Sequence, residues 1–172
     1  MFKTLIAEEN KRINQYGKNG IPGRYVLSYM HEDEIIDLTK NFAYYMHDNN
    51  MRPFHALDLW LYYSLSGDYS QIGYIHGMIE CSAVYDNYYE GIIAFDITKL
   101  LLSTNRKTLK AFIRLITSKE ISDHATLLIF FNENATKQGI SLINEIAKNA
   151  ECNVIRPKLN DRGENNEKRQ VC

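Results

Sequence analysis

Polar side chains follow several apolar segments of the chain, and their types are the ones that could do chemistry. Asp96 ends the apolar run 91–96, and Asn132 follows the apolar run 126–131. If these runs are parallel strands, their carboxyl ends meet at one edge of a sheet, where open α/β sheets usually bind ligands. The strand ends cover 28–31, 96–98, 132–134 and position 156. From them we take five candidates for a ligand or partner site: Asp96, Asn132, Arg156, Ser28 and His31.

Two of these candidates have a structural interpretation beside the functional one. Asp96 is either a ligand or metal contact, or a carboxylate that accepts hydrogen bonds from nearby loop N–H groups. Asn132 is either a ligand contact or a residue that caps a helix or forms a turn, because Asn serves both positions well. The sequence leaves both choices open.

A second group of candidates is basic. Lys107, Lys110 and Arg114 follow one another at three- and four-residue spacing, which places them on one face of a helix. Such a face is either simply solvated or in contact with an acidic partner or a phosphate backbone. The formal net charge of the chain is -1, which excludes a strongly cationic nucleic-acid binder and leaves only a local electrostatic effect.

The motifs of several enzyme and metal-binding classes are absent from the sequence. Five histidines and three cysteines show no His-x-x-x-His or Cys-x-x-Cys spacing, and no Gly-x-Ser-x-Gly elbow occurs, so we expect no metal and no cofactor. Three cysteines cannot all pair, which favours a reducing compartment. No apolar run approaches the roughly 20 residues of a membrane span, and residues 1–13 lack the apolar region of a signal peptide. We therefore expect a cytoplasmic protein without a membrane partner.

The apolar periodicity predicts alternating helices and strands, with an N-terminal helix at 1–16. Strands are predicted at 24–29, 91–96, 126–131 and 152–156, and further helices at 32–48, at 69–84, after a cap at Ser103 or Thr104, and after a cap at Asn134. Residues 55–65 fit a strand and a buried helix equally well. Alternation of this kind implies βαβ crossovers. We expect a single α/β domain over 1–157, built as a three-layer sandwich with a mostly parallel sheet, and a flexible polar tail at 158–172.

The run Ile92–Asp96 resembles a Walker B strand, with four apolar residues and an acid. Asn132 stands where AAA+ ATPases place their polar sensor-1 residue. With the element order over 24–157, these features resemble a degenerate AAA+ or broader P-loop NTPase domain. The resemblance implies a P-loop NTPase-like or other Rossmann-like topology, in which the Ile92 and Leu128 segments pair side by side in parallel.

The chain departs from that family where a nucleotide would bind. Its first strand runs into Leu27-Ser-Tyr-Met-His-Glu-Asp-Glu34, and no Gly-x-x-x-x-Gly-Lys-Ser/Thr loop is present anywhere. The acids at 32–34 would repel a triphosphate at the helix start, although they also stabilise a helix start by themselves and would suit a basic partner. Ile97 follows Asp96, where AAA+ ATPases have a Glu that activates water. For a chain of that fold, these departures imply that nucleotide hydrolysis has been lost, and they also disfavour nucleotide binding.

The leading hypothesis is therefore a non-catalytic interaction or regulatory protein that works through its surface, with a protein partner or by self-association. The chain has twelve tyrosines, with clusters at 44–45, 62–63 and 85–89. They suit such a surface because a tyrosine combines an apolar ring with a polar tip. One alternative is a small α/β enzyme with its site at the strand ends. Another is a nucleic-acid-associated accessory factor that uses the basic face at 107–114, which the charge balance does not favour.

Overall fold

The computed structural model describes residues 1–18, 20–49, 60–85, 91–123, 125–134 and 139–155. Arg156 and the predicted tail at 158–172 lie outside the described residues. Helices and strands alternate along the chain as α1 (Phe2–Tyr16), β1 (Arg24–Tyr29), α2 (Asp33–Asp48), β2 (Trp60–Ser64), α3 (Tyr69–Tyr85), β3 (Ile92–Asp96), α4 (Thr98–Leu102), α5 (Arg106–Ile116), α6 (Lys119–Ser122), β4 (Thr126–Asn132), α7 (Ile140–Asn149) and β5 (Asn153–Ile155). None of the helices described here is long and apolar enough to cross a membrane.

The described strands form one parallel sheet in the order β2-β3-β4-β1-β5. Strands β3 and β4 are neighbours, with Ala94 opposite Leu128, which confirms the predicted parallel pairing of these segments. Strands β1, β3 and β4 are buried almost throughout, as their continuous apolar runs require when helices cover both faces of a parallel sheet. The predicted α/β sandwich with a mostly parallel sheet is confirmed.

Each face of the sheet has its own apolar core, because successive side chains of a strand point to opposite faces. On one face, α1 and α2 pack against Tyr25 and Leu27 of β1, with Phe42 of α2 among the fully buried side chains. On the other face, the helices from α3 to α7 pack against Val26 and Phe95. The two helical layers and the sheet between them make the three layers.

A buried ion pair attaches α1 to the start of β1. Glu9 is fully buried, and its carboxylate accepts hydrogen bonds from Arg12 Nε at 3.0 Å and from Tyr25 Oη at 2.5 Å. The Glu9 hydrogen bond and charge raise the pKa of Arg12 against the opposing effect of burial. Gly23 is required beside this pair, because a Cβ there would overlap both Glu9 Oε2 and the Tyr25 ring.

The structure resolves one open choice and corrects two helix starts. Residues 60–64 of the ambiguous stretch 55–65 form strand β2, while 55–59 lie outside the described residues. The cap of α5 is Asn105, whose side chain accepts from Lys107 N and Thr108 N, so the predicted caps at Ser103 and Thr104 are wrong. Helix α7 begins at Ile140 after Gly139, and Asn134 is not its cap. The short helices α4 and α6 were not predicted, since four or five residues carry no readable period.

Candidate functional site

The edge formed by the carboxyl ends of the strands contains a topological switch point between β1 and β4. Strand β1 pairs with β4 over its whole length, from Arg24 opposite Leu127 to Tyr29 opposite Asn132. Helix α2, which follows β1, packs on one face of the sheet, and α7, which follows β4, packs on the other. The crevice beyond such a pair of strands is where open α/β sheets bind ligands. Candidate chemistry in this fold therefore belongs at the ends of β1 and β4.

Asp96 lies at this edge, and its carboxylate is occupied by the chain itself. Oδ1 accepts from Thr98 N at 3.0 Å and from Thr98 Oγ1 at 2.7 Å, and Oδ2 accepts from Tyr29 Oη at 3.0 Å. Asp96 is only 5% exposed, so these three bonds replace solvent at a group that would be costly to bury unpaired. We call this set of Asp96, Thr98 and Tyr29 the strand-end clasp.

The clasp reaches β4 through the threonine hydroxyl. Thr98 Oγ1 accepts from Asn132 N at 2.9 Å and lies 3.1 Å from Tyr29 Oη. Because the same hydroxyl donates its proton to Asp96, one threonine connects the ends of three adjacent strands, β3, β4 and β1. The arrangement fixes the relative positions of the strand ends at the switch point.

Two tyrosines beside Asp96 stay protonated well beyond neutral pH. Burial raises the pKa of Tyr29; the hydrogen-bond contact with the Thr98 side chain opposes this shift, and the charge of Asp96 adds to it. Burial and then the charges of Asp96 and Glu32 likewise raise the pKa of Tyr62. Both hydroxyls are therefore hydrogen-bond donors at physiological pH, and neither is poised to act as a base.

Both polar atoms of the Asn132 side-chain amide form hydrogen bonds with the loops at this edge. Its Nδ2 donates to Met30 O at 3.3 Å, and its Oδ1 accepts from Asn134 N at 3.0 Å. The neighbouring Glu133 N donates to Tyr29 O at 3.0 Å. These bonds tie the loop after β4 to the loop after β1, directly across the crevice.

In the turn between β1 and α2, a glutamate carboxylate occupies the position at the helix start where an anionic ligand would bind. Glu34 Oε2 accepts from Met30 N at 3.3 Å, and Glu34 N donates to His31 O at 3.0 Å. Glu32 in this turn and Asp33 and Glu34 at the start of α2 are all exposed. Their negative charges face the solvent from which a phosphate would have to approach.

Among the predicted site residues, the structure brings Asp96 and Asn132 together through Thr98. Ser28 is fully buried, and strand alternation places it on the opposite face of β1 from Tyr29. Its hydroxyl has no hydrogen-bond partner among the described residues. His31 is exposed in the turn before α2, and Arg156 lies outside the described residues.

Tyr29 and Thr98 belong to the clasp but were not singled out from the sequence. The signal for Thr98 was readable, because an Asp whose carboxylate bonds the N–H two residues on is a common turn-forming arrangement. Tyr29 carried no such signal, since its role depends on β1 and β3 lying on either side of β4. That placement follows from sheet order and not from spacing along the chain.

The predicted basic residues occupy a different place. Lys107, Lys110 and Arg114 line a cavity of about 440 Å³ between α3 and α5, and none of the predicted strand-end residues that the structure describes is among its lining residues. Within the described ranges, no group of three or more His, Cys, Asp or Glu side chains is arranged to hold a metal ion. Comparison with known proteins gives no further assignment, because no protein-family model and no curated protein matches the chain.

Proposed function

We propose that this chain is a non-catalytic interaction or regulatory protein on a P-loop NTPase-like fold that has lost nucleotide hydrolysis. The observation that carries the proposal is the strand-end clasp. A catalytic or metal-binding carboxylate at this edge must offer free oxygens to its ligand, whereas Asp96 accepts three hydrogen bonds from Thr98 and Tyr29.

The turn after β1 supports the same proposal. In a phosphate-binding turn, backbone N–H groups and a lysine point at the ligand. Here the N–H of Met30 donates to the carboxylate of Glu34, and two further acids directly precede Glu34 at 32–33. A sheet with β1 between β4 and β5 is compatible with the fold that the AAA+ resemblance implies.

Exposed apolar side chains on α3 supply a surface for the interaction. Tyr74 is 69% exposed, and Met78, one helical turn further on, is 44% exposed. A large tyrosine and a methionine adjacent on one helix face are typical of contact surfaces. We therefore assign self-association to this face of α3.

A nucleotide titration tests the loss of nucleotide binding. The thermal midpoint of the full chain is measured with Mg²⁺ and ATP or GTP, against sodium chloride at equal ionic strength. We expect ATP and GTP to cause no Mg²⁺-dependent rise of the midpoint in a chain that carries Lys110→Gln and Arg114→Gln, because only a ligand that binds the folded state raises the midpoint. A saturable, Mg²⁺-dependent rise that survives removal of the basic charges at Lys110 and Arg114 would contradict the proposal.

Light scattering after size exclusion tests the interaction surface. We expect the mass of the wild type to rise with concentration above that of the 20.0 kDa monomer. Tyr74→Glu should return the mass to that of the monomer, because it places a charge in the proposed contact. Tyr44→Glu is the matched control, since Tyr44 is 46% exposed on α2 in the other helical layer. A wild type that stays monomeric at every concentration contradicts self-association.

A further inference from the structure

A concave space lies between α3 and α5, on the sheet face covered by α3 to α7. Its volume of about 440 Å³ is within the range of sites that enclose a small molecule. The apolar part of the lining comes from Ile72 of α3 and from Ala111 and Leu115 of α5. This cavity shares none of its lining residues with the strand-end clasp.

Three cations of α5 line this cavity. Within the part of the chain that the structure describes, Lys107, Lys110 and Arg114 form no ion pair. Arg106, on the same helix but outside the cavity, is paired with Glu145 at 2.9 Å. The three unpaired charges fall within about 10 Å along the helix axis, at 1.5 Å per residue. A compact positive potential therefore faces the space between the helices.

Lys107 reaches across the cavity towards α3. Its Nζ lies 4.3 Å from the centre of the Tyr69 ring, within the range of a cation–π contact. An exposed contact of this kind is weak, so an anion entering the cavity can replace the ring as the partner of the ammonium group. Tyr69 then remains as an aromatic wall.

Two further polar groups line the cavity. Ser118 Oγ is buried and has no hydrogen-bond partner among the described residues, so a donor is available there. His76 lies on the α3 side, with its Nε2 at 3.3 Å from Glu80 Oε1. The cavity thus combines unpaired cations and a free hydroxyl with an apolar floor.

We propose that this cavity binds a small phosphorylated ligand, with its phosphate on Lys107, Lys110 and Arg114 and its apolar part on Ile72 and Leu115. Three clustered cations match the charge of a phosphate monoester or a diphosphate. The three cations lie within one short stretch of α5, and the chain carries a net charge of -1, whereas nonspecific nucleic-acid binding draws on a longer basic array. The inference goes beyond the proposed function and uses no residue of the strand-end clasp.

Titration of the full chain with inorganic phosphate, pyrophosphate and phenyl phosphate tests the inference. The thermal midpoint and the heat of binding are measured without Mg²⁺, against sodium chloride at equal ionic strength. We expect saturable stabilisation by pyrophosphate and by phenyl phosphate, with phenyl phosphate binding more tightly than inorganic phosphate because its ring covers the apolar floor. The absence of saturable binding by all three probes would overturn the inference.

Variants locate the binding. Lys110→Gln with Arg114→Gln should weaken pyrophosphate binding by about tenfold or more, since two charge-assisted contacts are lost. Lys99→Gln with Lys148→Gln makes the same change in net charge at exposed positions outside the cavity lining and should bind as the wild type does. Ser118→Ala should weaken binding several-fold and leave the midpoint of the free protein unchanged. If the cavity variant and the control variant lose the same affinity for pyrophosphate, the proposed site is wrong.

A parallel titration with oligonucleotides distinguishes binding of a small ligand from binding of nucleic acid. A single-stranded 20-mer and its duplex are titrated in parallel with pyrophosphate. We expect the 20-mer to bind no more tightly than pyrophosphate does. Tight oligonucleotide binding that falls steeply with salt, combined with no binding of pyrophosphate, would assign the basic residues to nucleic acid and overturn the inference. Neither result bears on the strand-end clasp, so failure here is distinguishable from failure of the proposed function.

Discussion

The Asp96 carboxylate accepts the hydrogen bonds that join three strand ends. Substitution of this residue measures how much these bonds contribute to stability. In Asp96→Asn, one side-chain oxygen is replaced by an NH₂ group that cannot accept hydrogen bonds from Thr98 or Tyr29. We expect the free energy of unfolding to fall by about 2 kcal/mol, since hydrogen bonds to a buried charged group are lost. Urea unfolding gives the value. Tyr29→Phe removes a single donor and should cost less; an Asp96→Asn variant as stable as the wild type would mean that the clasp is not structural.

The buried carboxylate of Glu9 provides a second test at the level of a single residue. In Glu9→Gln, the Arg12 guanidinium remains in place with its counter-charge gone. We expect a loss of about 3 kcal/mol, because removal of one partner leaves an uncompensated buried charge. Glu8→Gln, at the preceding and partly exposed position, is the control and should change stability by less than about 0.5 kcal/mol. Similar effects of the two substitutions would show that the ion pair is energetically unimportant.

At the level of elements, the start of α5 depends on a single cap. The Asn105 side chain accepts from Lys107 N at 3.1 Å and from Thr108 N at 3.2 Å. Asn105→Ala should lower the free energy of unfolding by about 1 kcal/mol, because two N–H groups of the first turn lose their acceptor. Asn105→Asp retains an acceptor oxygen and should stay close to the wild type in chemical denaturation. If Asn105→Asp lowers the free energy of unfolding as much as Asn105→Ala does, loss of the cap is not the cause of the destabilisation.

The elements were predictable where they are long or fully buried. Strands β3 and β4 are continuous apolar runs, and α2 has a regular apolar face, so the sequence predicts all three. Strand β2 lies at the edge of the sheet with half-buried Tyr62 and Tyr63, so its pattern is also compatible with a buried helix. The wrong cap at Thr104 has a local cause, since this residue has a φ of 51° and a cap residue needs extended backbone.

For the molecule as a whole, the parallel sheet was predictable, but its strand order was not. Alternating elements imply βαβ crossovers, yet they do not state that β4 lies between β3 and β1. That order brings Tyr29 and Asn132 to Asp96, and so it decides which strand-end residues form the site. The cavity between α3 and α5 has the same origin, because the sequence shows the basic face of α5 but not the helix that packs beside it.

Several tyrosines and a cysteine, spread over the molecule, have a higher pKa in the folded chain than in the unfolded chain. Burial raises the pKa of Tyr25, and the charge of Glu9 raises it further, from an ordinary value of 10.0. Tyr29, Tyr62 and Tyr63 are raised in the same direction, each mainly by burial. Burial also raises the pKa of the Cys152 thiol to about 11. Above the ordinary pKa of each group, the unfolded chain loses protons that the folded chain keeps.

This difference predicts a loss of stability at alkaline pH. A group whose folded pKa lies above its unfolded pKa contributes its full stabilisation below the unfolded value, and the contribution is lost as pH rises towards the folded value. For the tyrosines that loss begins near pH 10 and amounts to at most about 1.4 kcal/mol per pH unit for each group. Urea unfolding between pH 8 and 11 should show a steepening decline. Tyr29→Phe should be less stable at pH 8 yet decline less steeply, because it removes one titrating group; parallel curves for the variant and the wild type would contradict the assignment.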